Sequence, residues 1–222
     1  MKKEPEVMGD FPISINERSV MRYLGYPTGR QVADRRHVQR SIETVRGFLR
    51  SSSELVNPAA VYALFDSVPV DGALSLPEEG VELRSSFLAG RFSESGTIGL
   101  FVTTIGSAIE EQIGRYLGEG KRYEAMILDA IGSASAEAAA WSVHRHIQHL
   151  SGRRLVRYSP GYDRGVKAVC WPIEDQAVIF RLLSPERIGV RLSPAFMMMP
   201  RKSVSAVIGF PSAPGGRLDD DS

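Results

Sequence analysis

Six consecutive residues, Arg157, Tyr158, Ser159, Pro160, Gly161 and Tyr162, bring together side chains able to hold a small charged ligand. The arginine offers a planar fork to a carboxylate or phosphate. Pro160 removes one backbone donor and stiffens the chain, while Gly161 lets a flat ring approach the main chain closely. Tyr158 and Tyr162 each add an aromatic face with a hydroxyl at its edge. Together they suit a zwitterionic amino acid joined to a base. Taken alone, the motif favours a plainer reading, a rigid turn with Arg157 in a structural salt bridge.

A second candidate is Glu137, in the run AIGSASAEAAAWSVHRHI. At helical spacing its neighbours are Ser133, Ala134, Ala140 and Trp141, which places the carboxylate at the edge of a small-residue face. Small residues admit another backbone or a ligand, and a buried carboxylate needs a partner because an unpaired charge there is costly. A ligand cation would serve. So would an arginine of the same chain, or exposure at the helix flank.

Other candidates point away from chemistry. His144, His146 and His149 lie close in sequence. On a helix the first two point about 200° apart, and the i, i+4 pair of helical zinc sites is missing, so no metal site is expected. Histidines near the negative end of a helix need no metal to explain them. Cys170 is the only cysteine, which excludes an intrachain disulfide and argues against a Cys-based zinc site. With no histidine in a recognisable partner motif, a thiol beside Trp171 reads as packing. There is no G-x-x-x-x-G-K-[ST] loop and no G-x-G-x-x-G turn after a strand, so the signatures of nucleotide and dinucleotide folds are absent. Met197, Met198 and Met199 are expected to alternate between core and surface on a strand.

The elements that would position these residues follow from periodicity and caps. A helix is expected over Glu17–Tyr23 with Asn16 as N-cap, and a second from an Asp34 cap to Leu49 with Val38, Ile42, Val45 and Leu49 on one face. Strands are expected over 59–65 and 97–106. Ser107 and Glu110 have capping-box spacing for a helix to Leu117. A long helix then runs from Lys121 to Leu150 and ends at Gly152. A strand over 155–158 leads into the six-residue motif, a helix covers Pro172–Leu183, and strands cover IGVRLSPAF and SVSAVIGF. Residues 66–96 give mixed signals, with a weak strand or short helix over 81–88. Strands and helices do not alternate regularly, so the expected fold is a single α+β domain with a largely antiparallel twisted sheet and flanking helices. Residues 1–12 read as a flexible N-terminus, 13–211 as the folded unit and 212–222 as a disordered tail.

Composition narrows the function. Of 222 residues, 43% are hydrophobic and 24% charged, with 27 Lys+Arg against 26 Asp+Glu and a net charge of +1, so nothing draws the whole chain to nucleic acid. The start MKKEPEVMGDF lacks the apolar stretch of a signal peptide, and no apolar run approaches the roughly 20 residues that span a bilayer. A cytoplasmic protein with no membrane partner is expected.

The ordered set AEAAAW around Glu137, the Arg157–Tyr162 motif, IEDQAVIFRLLSPERIGVRLSPAFMMMP and SVSAVIGF resembles the activation domain of cobalamin-dependent methionine synthases. The resemblance covers roughly residues 97–210. It implies that Arg157 engages bound S-adenosylmethionine, that Ser159, Gly161 and Tyr162 line the same pocket partly through their backbone, and that Glu137 faces the ligand's positive end. It implies no catalytic side chain, since cobalt is the nucleophile and the sulfonium is already a good leaving centre; the protein contributes positioning and electrostatics. Cobalamin enters only through a partner, because the chain has no Asp-x-His-x-x-Gly cobalt-ligand motif. The expected role is therefore a stand-alone reactivation subunit. Its partners would be a corrinoid protein, or a methionine synthase lacking its own activation domain, and a flavodoxin- or ferredoxin-like reductant. Two departures keep other classes open. Ser151–Arg154 carries no acid where the family has one before the arginine, and DRGVKAVCW is a longer loop than the family's. The alternatives are a non-catalytic S-adenosylmethionine-binding or regulatory module, and an interaction protein with a decayed pocket.

Overall fold

The computed structural model describes residues 4–26, 36–152, 157–160, 162–163 and 168–210. Strand β1, Glu6–Gly9, leads past the buried Phe11 into helix α1, Glu17–Tyr23. Asn16 caps α1 as its type and position demand: its Oδ1 accepts the Ser19 backbone N–H at 2.9 Å. Helix α2 is Arg36–Ser51, with Val38 and Val45 buried and Ile42 and Leu49 half-buried on one core. Its expected cap, Asp34, lies outside the described residues.

Strand β2, Ala59–Asp66, is followed by β3, Val68–Val70, β4, Ala73–Leu76, and β5, Val81–Leu83. These last three pair as a small antiparallel sheet of their own. Helix α3, Ser86–Arg91, is capped by Ser85, whose Oγ accepts the Leu88 N–H at 3.1 Å. Then come β6, Thr97–Thr104, α4, Ala108–Gly118, and the 30-residue α5, Arg122–Ser151. Helix α5 stops at Gly152 with φ 62, a left-handed turn that glycine adopts without steric cost. The remaining elements are β7, Arg157–Pro160, β8, Tyr162–Asp163, β9, Ala168–Val169, α6, Gln176–Leu183, β10, Arg191–Leu192, β11, Met198–Met199, and β12, Ser203–Phe210.

The central sheet has the order β1-β2-β6-β12-β7, and every pairing in it is antiparallel. Strands β2, β6 and β12 pair over eight residues each, so Tyr62, Phe101 and Ala206 stand in one row and Ala63, Leu100 and Val207 in the next. Neighbouring rows face opposite sides of a sheet. The first joins a core shared with α1, α2, α4 and α5; the second joins a core with α3, α6 and the small sheet. The architecture is the α+β arrangement that the element order implies.

Several local expectations change. The N-terminal stretch expected to be loose contains β1, an edge strand of four residues too short to carry a legible alternation. Ser107 and Glu110 do not form a reciprocal capping box: the Ser107 hydroxyl donates to Glu111 Oε1 at 2.7 Å, and Glu110 Oε1 accepts the Lys202 backbone N–H at 2.7 Å. Of the strand expected over IGVRLSPAF, only Arg191 and Leu192 pair, because Ser193–Phe196 turns the chain back, closed by Ser193 N–H to Met197 O at 2.8 Å. The helix expected from Pro172 begins as a 3₁₀ turn, Ile173–Asp175, before α6. The methionines alternate as expected: Met197 and Met199 are exposed, and Met198 packs on the second core. The tail 212–222 lies outside the described residues.

Candidate ligand-binding site

Helix α5 is built to lie close to the sheet. Ala134, Ala136, Ala139 and Ala140 are buried in one core with Phe101, Ala206 and Ile208. Alanine favours helix and presents almost no bulk, so the backbones approach. Gly132 goes further: the Lys202 side chain lies over it, its Cε 3.0 Å from where a Cβ would stand. Lys202 Nζ then reaches Asp129 Oδ1 at 2.7 Å and donates to Ser133 Oγ at 2.9 Å. With its backbone N–H on Glu110 of α4, Lys202 fastens the start of β12 to both helices.

One turn beyond Ser133 is Glu137. Its Oε2 pairs with the Arg22 guanidinium and accepts the Tyr23 hydroxyl at 3.2 Å, both from α1. The Arg22 guanidinium also sits 5.3 Å from the centre of the Tyr23 ring. The pair is not deeply buried, with side-chain exposures of 49% for Arg22 and 36% for Glu137. A further turn along, Trp141 is exposed and meets His144 edge-to-face at 5.2 Å.

A second polar group lies on the same side of the sheet. The Tyr62 hydroxyl donates to Glu6 Oε2 at 2.6 Å and lies 3.1 Å from His146 Nε2. Burial, and then the Glu6 carboxylate, push the Tyr62 pKa well above the ordinary phenol value. Since the phenol's one proton goes to Glu6, His146 Nε2 meets the phenol oxygen as a donor. The three clustered histidines thus have separate surroundings: His144 is buried, His146 joins Tyr62, and His149 is exposed. Cys170 and Trp171 are buried in the second core, as packing requires.

The six-residue motif is more than a connection. Arg157–Pro160 is the edge strand β7, with Arg157 opposite Gly209, Tyr158 opposite Ile208, Ser159 opposite Val207 and Pro160 opposite Ala206. A proline is tolerated there because an edge strand leaves one side of its backbone unpaired. Gly161 lies outside the described residues, and Tyr162 opens β8, paired with Val169. Strand β12 is the common neighbour, hydrogen-bonded to β7 and packed against α5. The structure therefore sets Arg157 and Ser159 on one neighbour of β12 and Glu137 on another. It gives Glu137 an arginine of its own chain, one of the partners its sequence context allows. Arg22 and Tyr23 had no signal in the sequence, since they stand 115 and 114 residues from Glu137.

The fold defines a class. A chain with this arrangement is similar to the protein described as "MetH Reactivation Domain bound to AdoHcy", a crystal structure matched with a TM-score of 0.69 over 97% of this chain and 81% of that one, at 16% identity. At that identity the likeness speaks for the fold. Residues 84–213, more than half the chain, match the family model for "Vitamin B12 dependent methionine synthase, activation domain", and the chain belongs to that family. A curated relative, methionine synthase from Mycobacterium leprae (strain TN), is 29% identical over an alignment of 144 residues that covers 57% of this chain and 12% of that protein. The chain thus matches a small part of its relative's length. Among the described residues no helix is long and apolar enough to cross a membrane.

Proposed function

We propose that this chain binds S-adenosylmethionine and serves as the reactivation unit for a corrinoid held by a separate methionine synthase or other corrinoid protein. The observation that carries the reading is the family match over 84–213, which spans the whole Arg157–Tyr162 motif. In support, the fold neighbour is described as bound to AdoHcy, the demethylated form of the same ligand. The residues present suit such a ligand. Arg157 would take its carboxylate, the backbone and side chains at Ser159, Gly161 and Tyr162 would line the bed, and Glu137 would face its positive end.

The methyl group would pass from the sulfonium to the partner's reduced cobalt, breaking an S–C bond and forming a Co–C bond, with one electron supplied by a flavodoxin- or ferredoxin-like protein. No proton moves, so this chain needs no general acid or base. Its work is to hold the sulfonium methyl toward the partner and away from water. Such partners place the reaction in the cytoplasm. A non-catalytic S-adenosylmethionine-binding or regulatory module is the second reading, favoured by the Arg22 guanidinium already resting on Glu137.

Calorimetric titration of S-adenosylmethionine tests the site. Arg157→Ala should weaken binding by about 1.5–3 kcal/mol, roughly 10- to 150-fold, the worth of a hydrogen bond to a charged group. Unchanged affinity in a folded variant would make Arg157 structural. Failure of the wild-type protein to bind, or to restore methylcobalamin on any corrinoid protein of the same cell in the presence of a one-electron reductant, would overturn the function.

A further inference from the structure

The carboxylate assigned to the ligand's positive end already holds a cation from its own chain. We infer that Arg22 is a displaceable stand-in for that positive end, an affinity-setting residue that S-adenosylmethionine must move aside; the inference rests on the proposed ligand site. Three observations carry it. Arg22 pairs with Glu137 Oε2, so the negative charge that would attract a ligand cation is neutralised. The arginine is half exposed, with a side-chain exposure of 49%, and an ion pair in that setting is cheap to break. Its helix is not what must move, for Val20 and Met21, the two residues before it, are buried at 0% and 5% exposure, and Asn16 caps the helix start. Only the side chain swings.

Tyr23 separates this arrangement from a simple scaffold for the carboxylate. Its hydroxyl donates to the same Oε2 at 3.2 Å, so Glu137 remains oriented when Arg22 leaves. Both contacts fall on Oε2, and among the described residues Oε1 has no hydrogen-bond partner. Arg22 thus adds a competing charge rather than an indispensable geometry. Removing it strengthens the local field for a ligand that carries both an ammonium and a sulfonium.

The test is S-adenosylmethionine titration into the wild-type chain, Arg22→Gln and Arg18→Gln. Arg18 is exposed on the same helix, one turn before Arg22, so its substitution removes the same charge from the helix without touching Glu137. Arg22→Gln should tighten binding about two- to fivefold, the usual worth of an exposed ion pair, and Arg18→Gln should not. Equal effects from the two substitutions, or weaker binding in Arg22→Gln, would overturn the stand-in while leaving the ligand site intact. No binding in the wild type or in Arg22→Gln would instead remove the ligand site itself, and the stand-in with it. Both arginines are exposed, and matched thermal unfolding of the three proteins confirms that the comparison is between folded molecules.

Discussion

The two faces of the central sheet are packed by opposite means. On one, α5 contributes Ala134, Ala136, Ala139 and Ala140 to a core with Phe101, Ala206 and Ile208. On the other, Leu74, Leu76, Leu83, Leu88 and Phe92 share a core with Leu100, Val102 and Val207. Polar pairings gather on the alanine side: Glu137 with Arg22, Tyr62 with Glu6 and His146, and Lys202 with Asp129. A helix of small residues can come near the sheet and still leave room at its flanks for charged side chains. A face filled by leucine and phenylalanine supplies burial, at about 1.5–3 kcal/mol for each large side chain taken out of water. The difference separates the face that carries Glu137 and its charged neighbours from the face that leucine and phenylalanine fill, and the rows of Arg157 and Ser159, opposite Gly209 and Val207, belong to the latter.

The largest expected effect lies on the bulky face. Phe92 is fully buried, and its ring fills the space where a Cβ on Gly209 would stand, 2.1 Å from the ring's Cδ1. Glycine at 209 is what lets the ring lie against β12. Phe92→Ala should cost about 3–5 kcal/mol of stability by urea unfolding, with ligand affinity per folded molecule unchanged. A loss near 1 kcal/mol would show that this face is loosely packed and that the contrast does not hold.

The alanine face should fail in the other direction. Ala139 is fully buried, and the helix around it approaches the sheet because its side chains are small. Ala139→Leu should cost about 1–3 kcal/mol through overpacking, although it adds apolar surface to a core. A neutral or stabilising result in the same urea experiment would mean that α5 has room to spare, and the small residues would then need another explanation.

What the sequence conveyed divides along similar lines. Local signals survive in the structure: Asn16 before α1, the apolar spacing of Val38 to Leu49 in α2, and Gly152 after α5. Each depends on neighbours within a few residues. Elements that depend on distant packing gave weak or shifted signals, as over 81–88, where β5 lies and α3 begins. Strands β3, β4 and β5 have three or four residues each and stand because Leu74, Leu76 and Leu83 reach a core completed by Phe92 and α6. Strand β7 overlaps the strand expected over 155–158 at Arg157 and Tyr158, and it runs on through Ser159 and Pro160 because β12, some fifty positions later, pairs with them. At the candidate site the same rule holds: Glu137 announces itself by standing among alanines, whereas Arg22 and Tyr23 come from a helix more than a hundred residues away. Glu110 shows the opposite hazard, since its spacing from Ser107 fits a capping box while its carboxylate is used by Lys202.

The smallest effect, and the sharpest probe of the bulky face, concerns Asp175. It sits at the start of α6 with 7% of its surface exposed, and among the described residues its Oδ2 is buried without a hydrogen-bond partner. Burial pushes its pKa above the ordinary carboxylate value, and the Arg84 backbone N–H and the nearby Arg84 charge offset only part of that rise. The folded protein therefore holds the Asp175 proton more tightly than the unfolded chain does. This contribution to stability is fully present below the unfolded value of about 3.9 and is lost as pH rises through the folded value. Asp175→Asn has no proton to lose, and its amide oxygen can keep the Arg84 backbone bond. Urea unfolding from pH 4 to pH 7 should then show the variant gaining on the wild type as pH increases. Parallel curves would mean that the carboxylate finds enough solvation to ionise freely, and the bulky face would be less closed to charge than its leucines and phenylalanines require.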